Sequence, residues 1–253
     1  MNFYHLKTRK NTKVENMFFV STSFSSTDEA QRALHHDAFF LFDIHQVLFH
    51  RKGISPFIRG LSKVSSKPKM IQLTLQTLFD RTTWAKLKKI YSTGNMITEA
   101  YLNTATGHPA LHSELLEFSN NIYTPDTDMY KLLQSMAQEN HKLYLLSNIG
   151  NQTLTRLKRQ YPDYFNLLND ADNTINREAK TSCDLVWKPQ LNAFEQSLKT
   201  IQHQTQPHLA IFIDDKLKNV QAAHKAGLNS IHFLNAQQLK SDLAILMGKE
   251  LAY

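Results

Sequence analysis

The sequence predicts an α/β fold in which helices cover both faces of a parallel sheet and a separate helical block is inserted into the chain. Two nearly continuous apolar runs, AFFLFDIHQVL at 38–48 and LAIFIDD at 209–215, are typical of strands buried inside a parallel sheet. From residue 128 onward, apolar strands alternate with segments of helical periodicity, which predicts right-handed crossovers between parallel strands. The 253 residues, 42% of them hydrophobic, supply enough apolar side chains for such a core.

The order of these patterns divides the chain into three parts. Residues 1–36 form an N-terminal extension, in which Ser26, Thr27, Asp28 and Glu29 make a capping box that opens a short helix. Residues 37–57 and 128–253 form the α/β core. Residues 58–127 form the inserted block, because apolar residues recur there at helical spacing and no strand pattern separates them.

Proline and glycine mark helix ends within the core. Pro189 suits the first turn of a helix, and Gly227 suits the end of one. The predicted core elements after the insert are a helix at 126–140, a strand at 142–148, a helix at 151–161, a strand at 181–187, a helix at 189–202, a strand at 209–215, a helix to 226, a strand at 229–234 and a C-terminal helix.

The composition excludes several classes of function. The seven glycines are too far apart to build a G-x-G-x-x-G turn or a Walker loop. Cys183 is the single cysteine, so neither an intrachain disulfide nor a cysteine-based zinc site can form. Apolar stretches reach only about five residues, where a membrane helix needs ~18. The net charge of +7 is not accompanied by a basic-aromatic motif, so we expect no specific nucleic-acid binding and a cytoplasmic protein without membrane contact.

Polar side chains follow the predicted strands at the points where the strands end. They are Asp43 and His45, Ser147 and Asn148, Lys188, and Asp214 and Asp215. The carboxyl ends of parallel strands meet at one edge of a sheet, so we expect these side chains to lie together. Carboxylates this close repel one another unless a cation neutralises them, and Mg²⁺ prefers such oxygen ligands. A lysine beside that cluster suits a phosphoryl group, and an aspartate can attack phosphorus.

These segments resemble the four motifs of the haloacid dehalogenase-like (HAD) superfamily, in the same order. FFLFDIHQVL matches the first motif, hhhhDxDx(T/V)L, and LYLLSN matches the second, hhhh(S/T)N. Lys188 followed by Pro189 matches the third motif, and IFIDDKLKNVQAAHKAGLNSIHF matches the fourth. The resemblance covers about 39–234. It implies a Rossmannoid core with a helical cap of the C1 type, for which the 58–127 block leaves room.

The resemblance also implies chemistry for individual residues. In this family Asp43 is the nucleophile that forms an aspartyl phosphate. Mg²⁺ is held by Asp43, by Asp215 and by the main-chain carbonyl at the position of His45. The expected function is a Mg²⁺-dependent phosphatase acting on a small phosphorylated compound.

Further family positions bind phosphate or orient the site. Ser147, Asn148 and Lys188 match phosphate-binding positions, and Lys188 is counted among the catalytic residues. Asp214 and Asn219 match positions that orient the neighbouring site residues.

The sequence departs from the family pattern at His45, where the phosphatases carry a second aspartate as acid and base. Gln46 also replaces the usual glycine. Three alternatives stay open. His45 itself transfers the proton, as an imidazole with an ordinary pKa of ~6.5 can do. In the second alternative, turnover is lost or very slow, a neutral histidine fills the position of the missing aspartate, and the domain binds a ligand or partner. The third alternative is dehalogenase-type chemistry, and the intact pair Asp214 and Asp215 argues against it.

Overall fold

A computed structural model describes residues 18–51, 82, 123–149, 151–169, 186–201 and 206–249. The chain divides into two compact units, the first comprising Met1–Leu48, Asp126–Ser147 and Asn166–Tyr253, and the second comprising Phe49–Pro125 and Asn148–Phe165. Most of the predicted helical cap at 58–127 and most of the predicted strand at 181–187 lie outside the described residues. Both stay predictions, as do the domain boundaries. At the end of the predicted cap, Tyr123–Pro125 form a strand, where the periodicity had predicted only helices.

The described part of the first unit contains a five-stranded sheet in the order β1-β7-β6-β2-β5. Its strands are β1 (Phe18–Phe19), β2 (Phe39–Phe42), β5 (Lys142–Leu145), β6 (Ala210–Asp214) and β7 (Asn229–His232). The four strands from β7 to β5 are parallel, as predicted from the strand–helix alternation. β1 joins the edge in the antiparallel direction.

Helices flank this sheet on both faces. They are α1 (Thr27–Asp37), α2 (Thr127–Gln138), α5 (Leu191–Thr200), α6 (Leu217–Lys225) and α7 (Ala236–Met247). α7 packs against α1 and α2, whereas α5 packs against α6. Because strand side chains alternate between the two faces, Phe39 and Leu41 of β2 join one buried cluster with Phe194 of α5 and Ala223 of α6.

Most helix ends follow the local sequence signals. The Ser26 hydroxyl accepts a hydrogen bond from the Glu29 amide at the start of α1, as the capping box predicts. α6 is followed by Gly227 at φ +90°, the left-handed conformation that favours glycine after a helix. The helix predicted from Pro189 begins instead at Leu191. Residues 187–190 form a turn around a cis Lys188–Pro189 peptide, closed by a hydrogen bond from the Gln190 amide to the Trp187 carbonyl (2.7 Å).

The described part of the N-terminal extension belongs to the first unit and is hydrogen-bonded to β7 and α7 within it. The side-chain oxygen of Asn229 accepts a hydrogen bond from the Ser21 amide (2.9 Å), and Gln31 of α1 donates one to the Ile245 carbonyl of α7 (2.8 Å). These long-range contacts have no local signal in the sequence.

The described part of the second unit contains a pair of antiparallel strands and two helices. β3 (Phe49–Arg51) pairs antiparallel with β4 (Tyr123–Pro125), and α3 (Asn151–Gln160) precedes α4 (Pro162–Phe165). The ring of Phe49 packs against Tyr161, Tyr164 and Phe165. None of the helices described in either unit has the length and apolar character that a bilayer crossing requires.

Candidate active site

The site lies at the carboxyl edge of the sheet, where β2, β5 and β6 end side by side. Phe42 is opposite Leu145 on one side and Ile213 on the other. The Asp43 amide donates to the Ile213 carbonyl, and the Leu146 amide donates to the Phe42 carbonyl, both at 2.9 Å. These bonds continue the ladder by one residue beyond each strand. Segments that are about 100 residues or more apart in sequence therefore meet at one edge, as parallel pairing requires.

Lys188 is the buried cation of this edge. Its Nζ lies 2.6 Å from Asp214 Oδ2, 3.0 Å from Asp43 Oδ1 and 2.6 Å from the Leu146 carbonyl oxygen. Burial alone lowers the pKa of Lys188, but the carboxylates of Asp214 and Asp43 outweigh burial and raise it. An ammonium has three protons, and these three acceptors account for all of them.

Asp214 is enclosed by hydrogen-bond donors. Besides Lys188, its carboxylate accepts from the Lys216 amide (2.8 Å) and from the Asn219 side-chain amide, which reaches both oxygens at 3.0 and 2.9 Å. The residue is fully buried. A carboxylate with this set of partners supports its neighbours and has little capacity left for a further ligand.

Asp215 differs from Asp214 in this respect. Its Oδ1 is buried without a hydrogen-bond partner among the described residues, and the ammonium of the half-exposed Lys216 lies 4.0 Å from it. Burial raises the pKa of Asp215 to about 6, and the charges of Asp43 and Asp214 add to that effect while Lys216 opposes it. Carboxylate oxygens of Asp43, Asp214 and Asp215 lie within 4.8 Å of one another. With a single buried ammonium among the described residues here, this edge has an excess of negative charge.

Asp43 remains ionised in this setting. Burial opposes its ionisation, but the charge of Lys188 and smaller contributions from His45, Ser147 and Lys216 lower the pKa of Asp43 overall. In contrast, burial and the charge of Asp43 raise the pKa of Asp214. These opposite shifts favour the carboxylate form of Asp43 over that of Asp214.

Ser147 offers an uncommitted hydroxyl. Its Oγ is completely buried and makes no hydrogen bond of ordinary geometry in the described part of the chain, while a weaker hydrogen-bonding interaction with Asp43 lowers the pKa of that carboxyl. A buried hydroxyl without a partner costs free energy of about 1–3 kcal/mol. Such an atom is suited to donate a hydrogen bond to a bound anion.

His45 and Gln46 form the turn that follows Asp43. His45 is half-buried, and its charge contributes to the lowered pKa of Asp43. Gln46 is exposed and has φ +61°, in the left-handed region that is unfavourable for a residue with a side chain. The backbone thus keeps the conformation that a glycine favours, although the side chain has changed.

The predicted residues do not all belong to one unit. Asp43, His45, Ser147, Lys188, Asp214, Asp215 and Asn219 lie in the first unit, and Asn148 lies in the second. Within the first unit, ion pairs and hydrogen bonds join Asp43, Lys188, Asp214 and Asn219, and the carboxylate cluster adds Asp215.

Sequence reasoning missed His232. It is the last residue of β7, and its Nε2 lies 3.0 Å from the main-chain oxygen of Asp215. The available signal was its position at the end of a predicted strand next to the strand that carries Asp214 and Asp215.

Comparisons with known proteins are consistent with this geometry. No family model matches the chain. A sesquiterpene phosphatase of Aspergillus oryzae is 28% identical over 124 residues, which are 49% of this chain and 58% of that protein. The chain thus spans little more than half of that relative's length.

Solved structures match a larger part of the chain. A HAD family enzyme of Bacteroides thetaiotaomicron has a TM-score of 0.51 and 17% identity, covering 76% of this chain and 91% of that one. The same enzyme has been solved in complex with magnesium and inorganic phosphate. A predicted HAD-like family hydrolase of Porphyromonas gingivalis has a TM-score of 0.51 and 17% identity, covering 81% and 97%. The chain therefore has the haloacid dehalogenase-like α/β fold.

Proposed function

We propose that the protein is a Mg²⁺-dependent phosphatase that hydrolyses a small phosphorylated compound through an aspartyl phosphate on Asp43. The observation that carries the proposal is an ionised, buried Asp43 between the ammonium of Lys188 and two unpartnered oxygens, Asp215 Oδ1 and Ser147 Oγ. The carboxylate oxygen of Asp215 suits a cation, and the hydroxyl of Ser147 suits an anion. The phosphatase relative and the structural neighbour that binds magnesium and phosphate support the same choice.

The donor set fits Mg²⁺. Three carboxylates and one buried ammonium leave two negative charges, the charge that one Mg²⁺ neutralises. Asp43 and Asp215, with the main-chain carbonyl of His45, would hold the ion, and Asp214 would support them through Lys188 and Asn219. When bound, Mg²⁺ neutralises charge on the phosphoryl oxygens during the reaction.

The chain's own residues supply the covalent steps. The Asp43 carboxylate attacks phosphorus, the bond to the leaving oxygen breaks, and that oxygen takes a proton from His45. His45 then accepts a proton from water, the water oxygen bonds to phosphorus, and the bond between phosphorus and Asp43 breaks. Phosphate leaves and Asp43 is regenerated as a carboxylate.

Ser147 and Lys188 are the proposed phosphate contacts of the first unit, and a phosphate contact by Asn148 stays a prediction from the sequence. The Ser147 hydroxyl is ready to donate, because it has no partner among the described residues. Lys188 already serves three acceptors, so its contact with phosphate requires the exchange of one of them. Its charge acts on the phosphoryl group in either case.

A second candidate is a domain of the same fold that binds a phosphorylated ligand with little turnover. The specific observation in its favour is the imidazole of His45 two residues after the nucleophile, in place of a carboxylic acid.

Hydrolysis of an aryl phosphate and of a phosphorylated sesquiterpene alcohol, with Mg²⁺ or with EDTA, separates these candidates. The variants are Asp43→Asn, His45→Asp and the matched control Asp128→Asn, whose side chain is exposed on α2. Metal-dependent turnover that is lost in Asp43→Asn and kept in Asp128→Asn supports the phosphatase. An inactive wild type that becomes active as His45→Asp supports the binding domain. Activity that survives Asp43→Asn refutes the proposed nucleophile.

A further inference from the structure

Two hydrogen bonds, one from the last residue of β7 and one from the residue after it, hold the main chain at Asp214 and Asp215. The Phe233 amide donates to the Asp214 carbonyl at 3.0 Å, in continuation of the sheet ladder. The next carbonyl, that of Asp215, is beyond the ladder, and the Nε2 of His232 lies 3.0 Å from it. The side chain of His232 thus contacts the first carbonyl beyond the main-chain pairing of the two strands.

The register of the sheet directs His232 to this position. His232 is opposite Asp214 in the parallel pairing of β7 with β6. Ser230, two residues earlier, donates its hydroxyl hydrogen bond to the Val220 carbonyl of α6 (3.0 Å). Side chains two apart on a strand share a face, so His232 is on the face toward α6, where the segment after Asp214 continues into that helix.

The carboxylate of Asp215 depends on this main-chain support. Its Oδ1 has no hydrogen-bond partner among the described residues, and its ion pair with the half-exposed Lys216 is long, at 4.0 Å, so side-chain contacts hold this oxygen only weakly. The carboxylate of Asp214, in contrast, is held by Lys188, Asn219 and the Lys216 amide. Without a comparable set of partners, the direction of the Asp215 carboxylate follows its backbone.

We propose that His232 is a positioning residue for the cation site, which holds the Asp215 main chain so that the carboxylate points at the metal. This inference rests on the proposed function, because it assigns Asp215 to Mg²⁺. The carbonyl oxygen can only accept, so Nε2 carries the proton. Residues that orient metal ligands in this way typically change metal affinity by about 10–100-fold when they are replaced.

The test is Mg²⁺ binding by calorimetry, with His232→Met and His232→Gln as a matched pair of similar length. Glutamine retains an N–H donor, and methionine has none. We expect Mg²⁺ to bind about 10-fold or more weakly to His232→Met, and His232→Gln to recover most of the loss. His36→Met, on the exposed surface of α1, is the control and should bind as wild type does. In kinetics, the Mg²⁺ concentration for half-maximal rate should rise in His232→Met, with kcat at saturating Mg²⁺ nearly unchanged.

The outcomes separate this inference from the proposed function. If wild type binds Mg²⁺ and His232→Met binds equally well, the positioning role is wrong and the metal site stands. If wild type binds no Mg²⁺, the proposed function and this inference both fail. Should His232→Met not fold, long-range ¹⁵N–¹H NMR of wild type decides, because an unprotonated Nε2 in neutral His232 overturns the inference.

Discussion

Asp215 is expected to destabilise the metal-free protein at neutral pH, and Asp215→Asn should remove that cost. The pKa of its carboxyl is raised from an ordinary value of 3.8 to about 6, chiefly by burial. The folded state therefore binds a proton more readily than the unfolded state. The penalty is absent below about pH 4, grows as the pH rises, and is complete above the folded pKa of about 6.

The magnitude follows from the two pKa values. A difference of about two pH units, at 1.36 kcal/mol per unit, corresponds to about 3 kcal/mol. Asparagine has nearly the same shape and no charge, so Asp215→Asn should raise the free energy of unfolding by up to about 3 kcal/mol at pH 7.5. The gain should shrink steadily and disappear near pH 4.

Urea unfolding in EDTA, followed by circular dichroism from pH 4 to 7.5, measures this effect. Asp128→Asn, at an exposed position, should stay within about 0.5 kcal/mol of wild type throughout. Added Mg²⁺ should stabilise wild type and Asp128→Asn but not Asp215→Asn, and so reduce the difference, since a ligand that binds the folded state stabilises it. A variant that is no more stable than wild type at pH 7.5, or a gain that is independent of pH, would refute the reasoning.

Three further predictions concern how Lys188, Gln46 and His224 affect the stability of the folded protein. Lys188→Met leaves the buried carboxylates of Asp43 and Asp214 without their cation, and should cost about 3–5 kcal/mol in urea unfolding; a loss below 1 kcal/mol contradicts the assigned ion pairs. Gln46→Gly should raise the free energy of unfolding by about 1 kcal/mol, because glycine adopts the observed φ of +61° without steric cost; equal or lower stability would contradict this. Burial lowers the pKa of His224, so the folded state resists its protonation and stability should fall as the pH drops below about 6.5; His224→Gln should reduce that loss in thermal unfolding between pH 7.5 and 5.5, and an unchanged slope would count against it.

Local patterns were sufficient to predict most of the described core. The apolar run at 209–215 is the strand Ala210–Asp214, and the predicted helix after it ends at Gly227 as expected. These predictions work because buried strands and helix ends depend on neighbours a few residues away. The predicted start of α5 was wrong by two residues, because residues 187–190 form a hydrogen-bonded turn where the proline had predicted the first turn of the helix.

The candidate site could be predicted in part for a related reason. Asp43 and Asp214 each come directly after or at the end of a buried strand, and parallel strands bring such positions to one edge whatever the length of chain between them. His232 escaped prediction because its role depends on the register between β7 and β6, which places it opposite Asp214.

The sequence by itself determined which chemical groups this protein has at the sheet edge, because strand periodicity and motif order place Asp43, Lys188, Asp214 and Asp215 at strand ends. Only the tertiary structure decided which hydrogen-bond partners each of these groups has and in which direction its pKa is shifted. Asp214 is enclosed by donors from two other segments, whereas Asp215 retains an unpartnered oxygen one residue further along. Adjacent aspartates are alike in sequence, and their pKa values and partners differ because burial and hydrogen bonding are set by contacts between distant parts of the chain.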